Sequence, residues 1–204
     1  MATSCPVGFD AAGLREEVAR MYAEVARDPG GDFHFHRGSA YAVEMLGYDR
    51  SDLDALPASA TAAFAGVGNP LAIGPIREGE TIVDVGSGAG TDLLIAARRV
   101  GPSGRAIGVD MTEEMRSRAM AAAAEAGLSN MEIRIGDAQS LPVEDGQPDV
   151  VISNGVINLT TDKVQAFEEI FRVLRPGGRL QLADIVVSAE LSEGIRNDVD
   201  LWAS

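Results

Sequence analysis

With 204 residues the chain has room for one α/β domain with a full core and a small N-terminal attachment, and is short for two independent domains. Its 46% hydrophobic and 24% charged residues are those of a globular protein, and no apolar run approaches the ~20 residues that a membrane-spanning helix needs. Seventeen basic against thirty-one acidic residues leave a formal charge of −14, which repels phosphate backbones and anionic lipid, so neither nucleic acid nor a membrane is an expected partner.

The opening MATSCPVGFD has no basic segment leading into an apolar one, so no secretory signal is expected, and a lone cysteine, Cys5, has no internal disulfide partner. Both point to a reducing cytoplasm. Residues 11–27 set Leu14, Val18, Met21, Tyr22 and Val25 at helical spacing with charges between them, and Pro29-Gly30-Gly31 ends the run. Up to about Gly79 the pattern is mixed. Short helical pieces are expected at 41–46, at 52–56 behind Ser51 as cap, and at 58–63. Residues 1–78 are therefore read as an N-terminal helical cap.

From Thr81 onward short apolar runs alternate with helical stretches, the pattern of βαβ units and a parallel sheet. Strands are expected at 81–85, 106–109, 131–135, 149–153 and 179–187, and helices at 91–100, 113–126 (Thr112 as cap, Gly127 as stop) and 161–174, before Pro176-Gly177-Gly178. Residues 79–204 then form an α/β domain with a Rossmann-like sheet and helices on both faces. Ile195, Val199, Leu201 and Trp202 read as one face of a further helix.

The first strand runs into Asp84-Val85-Gly86-Ser87-Gly88-Ala89-Gly90, whose glycines let backbone N–H groups approach a ligand without a Cβ in the way. A nucleoside triphosphate would require the Lys and hydroxyl of a P-loop, and neither follows. A dinucleotide prefers G-x-G-x-x-G, and Asp84 would sit awkwardly beside a pyrophosphate. An amino-acid-bearing sulfonium, with an ammonium and a positive sulfur, fits better. Asp110 lies twenty residues past Gly90 (110 − 90), where a carboxylate accepts both hydroxyls of a ribose. Met111 is suited to lie on an adenine face, and Asp137 is placed to accept from an adenine amino group. Singly, these residues read as a tight turn, a helix-capping acid and a turn residue. At the carboxyl ends of three consecutive strands they read together as a nucleoside site.

DVGSGAGTD, GVDMT, GDAQSLP and LRPGGRL resemble the successive motifs of class I S-adenosylmethionine-dependent methyltransferases, over about residues 79–187. Within that class SNGVINL, FRVLRPGGRL and LSEGIRNDVDLWAS are similar to the arsenite methyltransferases. The resemblance implies that Asp84, Gly86, Ser87, Gly88 and Gly90 hold the methionine part of S-adenosylmethionine. Asp110 and Met111 would hold ribose and adenine, Asp137 and Ala138 the adenine edge, and Asn154 would lie beside the methionine moiety. It also implies two more strands at the sheet edge than the chain provides for, so the 204 residues are expected to be truncated at the C-terminus.

The departures bear on the acceptor. Arsenite methyltransferases hold trivalent arsenic through cysteine thiolates. This chain has Gly155 and Val67 where the family has two of those cysteines, and it stops about where a third would follow. Val67, Gly155 and Val156 are then the expected acceptor wall, and the expected reaction is methyl transfer to a small molecule other than arsenite. The alternatives are arsenite held by glutathione or by thiols beyond Ser204, and a non-catalytic cofactor-binding partner module. No general base is named, because in-line transfer to a ready nucleophile needs alignment and a dry site. His34, His36 and Tyr41 are the candidates if the acceptor carries a proton. His34 and His36 have no third ligand near them in sequence, so no metal is expected.

Overall fold

The computed structural model describes residues 10–186. Cys5, Val187 and the helical face expected around Trp202 lie outside them. Asp10 starts α1 (Ala11–Arg27) by accepting a hydrogen bond from the Gly13 amide at 2.8 Å, and Leu14, Val18, Met21 and Val25 are buried along it as their spacing requires. The next helix, α2 (Gly38–Leu46), begins earlier than expected and ends at Gly47 in the left-handed region. In α3 (Arg50–Asp54) the cap is Asp49 rather than Ser51, because its carboxylate reaches both the Ser51 amide (2.8 Å) and the Ser51 hydroxyl (2.7 Å). A short α4 (Ala58–Ala62) and one 3-10 turn, Pro70–Ala72, complete this part.

The alternating half is β1 (Thr81–Val85), α5 (Thr91–Val100), β2 (Arg105–Asp110), α6 (Glu113–Glu125), β3 (Met131–Ile135), β4 (Val150–Asn154), α7 (Lys163–Val173) and β5 (Arg179–Ala183). The five strands pair in parallel in the order β3-β2-β1-β4-β5. Succession reverses direction beside β1, between β2 and β4, which opens a crevice at the strands' carboxyl ends. The strand expected at 179–187 stops at Ala183, because the Asp184 carboxylate turns to accept the amides of Ile157 (2.8 Å) and Asn158.

Strand alternation divides the core. Ile82, Ala106, Val150 and Ile152 pack with Leu93, Leu94 and Ala97 of α5 on one face of the sheet. Val83, Val85, Ile107, Val109 and Val151 pack with Ala166, Ile170 and Val173 of α7 on the other. Helix α5 is buried nearly all round because Tyr48, Leu53, Leu56 and Ala60 from the first half cover its outer side. Leu93 is fully buried between these layers, so Leu93→Ala should cost ~2–5 kcal/mol of unfolding free energy. A shift of the urea midpoint at constant slope would measure it.

Candidate functional site

At the carboxyl ends of the strands lies a crevice of ≈ 1080 Å³, counting its open mouth. Its floor is the β1–α5 loop, where Gly86, Gly88 and Gly90 have φ of 71°, 53° and 91°. A Cβ on Gly86 would stand 2.3 Å from Val156 Cγ2, so only glycine fits where the floor meets the β4 loop. The loop is tied to β2. The Gly86 and Ser87 amides donate to the Val109 carbonyl (2.8 and 3.1 Å), and the Gly88 amide donates to Asp110 Oδ2 (2.8 Å).

Three carboxylates gather in this crevice, Asp84 and Asp92 buried and Asp110 half-buried. Asp84 ends 3% exposed, and its Oδ2 has no hydrogen-bond partner among the described residues; the buried Ser87 Oγ has none either. Burial, and then the charges of Asp92 and Asp110, push the Asp84 carboxyl well above the usual range. Burial also raises Asp92, against hydrogen bonds donated by the Asn154 amide (Nδ2 to Oδ2, 3.0 Å) and the Tyr48 hydroxyl (to Oδ1, 2.6 Å). Asp110 is raised by burial as well, opposed by the amides of Thr112 and Gly88. Tyr22 of α1 faces the same space, its hydroxyl pushed up to about 12 by burial and by the charges of Asp110 and Asp184.

Met111, Asp137, Ala138, Asn154, Gly155 and Val156 also line the crevice. Asp137 is already engaged: Oδ1 accepts the Gln139 amide (2.7 Å) and Oδ2 meets Arg15 Nε of α1 at 3.2 Å. Val67 is not part of the wall. It stands behind Gly155, with its Cγ1 3.1 Å from where a Cβ on Gly155 would be. The structure thus brings positions 67 and 155 into contact across a long sequence separation. His34, His36 and Tyr41 do not line the crevice: His34 sits edge-on to Phe35, and His36 stacks on Tyr41 at 5.2 Å. His34 and His36 stand in the segment before α2 and Tyr41 within α2, outside the crevice where a proton would be taken. Among the described residues no three His, Cys, Asp or Glu side chains gather as a metal site would require.

Sequence reasoning missed Asp92, Tyr48 and the contribution of α1, whose Arg15, Val18 and Tyr22 close one side of the crevice. Asp92 reads in the sequence as an acid in the first turn of a helix, which needs no further explanation. Only its burial distinguishes it.

A parallel sheet of this order, with a glycine loop and carboxylates gathered at its carboxyl edge, defines a Rossmann-like nucleoside-binding domain of the methyltransferase type. Residues 76–204 match the family described as Methyltransferase domain. The chain belongs to that family, as a class I S-adenosylmethionine-dependent methyltransferase of the arsenite methyltransferase-like kind, and its cofactor is S-adenosylmethionine. It is 41% identical over 199 residues to an arsenite methyltransferase of Halobacterium salinarum, covering 91% of this chain and 51% of the relative. It is 38% identical over 117 residues to nocamycin O-methyltransferase of Saccharothrix syringae, covering 57% and 42%. Among solved structures it resembles an arsenic(III) S-adenosylmethionine methyltransferase of Chlamydomonas reinhardtii, with a TM-score of 0.68 and 36% identity over 74% of this chain and 53% of that one. The chain spans about half the length of the relatives it matches.

A carboxyl raised by burial lowers stability as pH rises through its folded-state value, because the folded protein holds the proton more tightly than the unfolded chain does. Asp84→Asn keeps the shape and removes that cost. In the ligand-free protein it should raise the thermal midpoint at neutral pH by ~2 °C or more, the shift expected from ~1 kcal/mol in a domain of this size. The gain over wild type should shrink as pH falls toward the ordinary carboxylate range, and scanning calorimetry against pH would show whether it does.

Proposed function

We propose that the chain transfers a methyl group from S-adenosylmethionine to a small-molecule acceptor held against Gly155 and Val156. The observation that carries the reading is the crevice floor: a glycine loop that leaves room for a ligand to approach the backbone, beside buried, unpartnered Asp84 Oδ2 and Ser87 Oγ. Unpaired buried polar atoms are costly unless a ligand completes them. When bound, S-adenosylmethionine supplies an electrophilic methyl group on a sulfonium.

In this reading Asp84, Gly86, Ser87, Gly88 and Gly90 hold the amino-acid end. Asp110, whose two oxygens each already accept one amide, uses its remaining lone pairs for the ribose hydroxyls, beside Met111. Asp137 and Ala138 border the adenine edge, with Arg15 sharing the Asp137 carboxylate. Asn154 serves as wall beside the methionine end. Residues 1–78 act as the cap, with α1 excluding water over the floor, and residues 79–204 as the cofactor domain. A cytoplasmic setting is part of the proposal, supported by the single cysteine. No helix of the described residues is long and apolar enough to cross a membrane.

An acceptor other than arsenite is favoured by Val67 and Gly155, which meet as an apolar contact without a thiol. Gly155 has a φ of 73°, so the backbone itself is suited to glycine there. Methylation of other small molecules within this family is consistent with the nocamycin O-methyltransferase likeness. The 41% identity to an arsenite methyltransferase favours the second reading, arsenite bound with thiols from glutathione or from residues beyond Ser204.

Calorimetry should register binding of S-adenosylmethionine and S-adenosylhomocysteine. Asp110→Ala should weaken both by ~10- to 100-fold, the range for losing hydrogen bonds to a charged group. A folded sample that binds neither would sink the reading. Methylated arsenic formed in the presence of glutathione would favour the second acceptor over the first.

A further inference from the structure

Asp84 and Asp92 line the same crevice, and their surroundings differ. Asp92 has a neutral donor on each oxygen, the Tyr48 hydroxyl on Oδ1 at 2.6 Å and the Asn154 amide on Oδ2 at 3.0 Å. Both donors are held in turn. The Tyr48 hydroxyl lies 3.2 Å from the Gly68 carbonyl, and Asn154 Oδ1 accepts the Val67 and Gly68 amides at 2.8 and 3.1 Å. Hydrogen bonds given to the charged form of a carboxylate favour that form. Asp84 Oδ2, by contrast, receives none from the described residues.

The arginines around this crevice already have partners, and of them Arg99 also favours the charged form of Asp92. Arg15 pairs with Asp137, Arg99 with Asp52, and Arg116 with Glu113 and the Asp110 carbonyl. The other titratable groups facing Asp84 are Asp110 at the end of β2, Tyr48 before α3, and Tyr22 on α1. None of these brings positive charge. Two buried carboxylates that line one crevice and act on each other through their charges, with no cation bonded to either among the described residues, oppose ionising together.

We propose that the Tyr48–Asn154 clamp keeps Asp92 ionised, so that Asp84 holds a proton in the empty crevice and releases it when the ammonium of a cofactor enters. This rests on the cofactor reading above and adds Asp92, with Tyr48 and Asn154 as positioning residues, to the groups that set its affinity. The balance is simple: the carboxylic O–H bond of Asp84 breaks, its proton passes to solvent, and the carboxylate accepts N–H hydrogen bonds from the incoming ammonium. Cofactor affinity then rises with pH, by up to about tenfold per unit, until Asp84 is ionised in the free protein, and is flat above that point. Burial of Asp84 and the charge of Asp92 both place that point above the ordinary carboxylate range.

The test is titration calorimetry of the chain with S-adenosylhomocysteine in buffers of differing ionisation enthalpy, from about pH 5 to 7, where the ligand's amine remains protonated. Wild type is expected to release about one proton per ligand at the acid end. Asp92→Asn fits the same space, since its amide can accept from Asn154 while the Tyr48 hydroxyl turns to the Gly68 carbonyl, and circular dichroism would verify its fold. It should move the midpoint of proton release down by about one pH unit or more. Asp84→Asn should bind weakly and release no proton. Tight binding by wild type with no proton exchanged at any pH, or an Asp92→Asn midpoint equal to that of wild type, would overturn the inference while leaving the cofactor reading intact. Absence of binding would overturn both.

Discussion

The side-chain amide of Asn154 joins the parts on which the crevice depends. Oδ1 accepts the Val67 and Gly68 amides, while Nδ2 lies within hydrogen-bond distance of the Gly68 carbonyl, the Tyr48 hydroxyl and Asp92. A primary amide offers two protons and two lone pairs, so its lone pairs are both used and its two protons are shared among three acceptors. One residue at the end of β4 thereby fixes the segment ahead of the sheet, the loop before α3 and the first turn of α5. Gly66 belongs to the same constraint, because a Cβ there would stand 2.3 Å from Asn154 Nδ2.

That arrangement gathers negative charge in a confined space. Asp84 and Asp92 are buried and Asp110 half-buried around one floor, each raised by desolvation, and Arg15, Arg99 and Arg116 are paired at its margins. An arrangement of this kind costs stability in the ligand-free protein and is compensated by a cationic ligand, the usual relation between a preorganised site and the fold that carries it. Helix α1 adds the dry side of the crevice. Its buried stripe of Leu14, Val18 and Met21 packs with Tyr22, Met111 and Leu159, and its Arg27 reaches Glu114 on α6.

The wall proposed to face the acceptor is made of backbone and small apolar groups. Gly155 adopts a left-handed conformation, its amide donates to the Ala183 carbonyl at 2.8 Å, and Val67 packs on it from behind. The position that resembles a cysteine of the arsenite enzymes is thus occupied by a residue whose own backbone geometry disfavours a side chain. Placing a thiol there would require the loop to move as well as the residue to change.

Much of the fold was legible in the chain itself. Thr81–Val85, Met131–Ile135 and Thr91–Val100 are elements whose ends follow local rules, apolar runs between glycine punctuation, and other boundaries moved by only a few residues. The glycine loop, Asp110 and Asp137 were legible for the same reason, since the βαβ rhythm places them at strand ends. Burial, pairing and contact were decided by tertiary structure. Asp92 became part of the floor, with Tyr48 bonded to it from outside the crevice, because α5 is covered on both sides. Val67 left the wall because the chain returns to pack it behind Gly155, and Asp137 met Arg15 because α1 lies over the sheet's carboxyl edge. Periodicity records which face of an element is apolar, but the partner that covers that face comes from residues distant in sequence, and desolvation of a carboxylate is set by that partner.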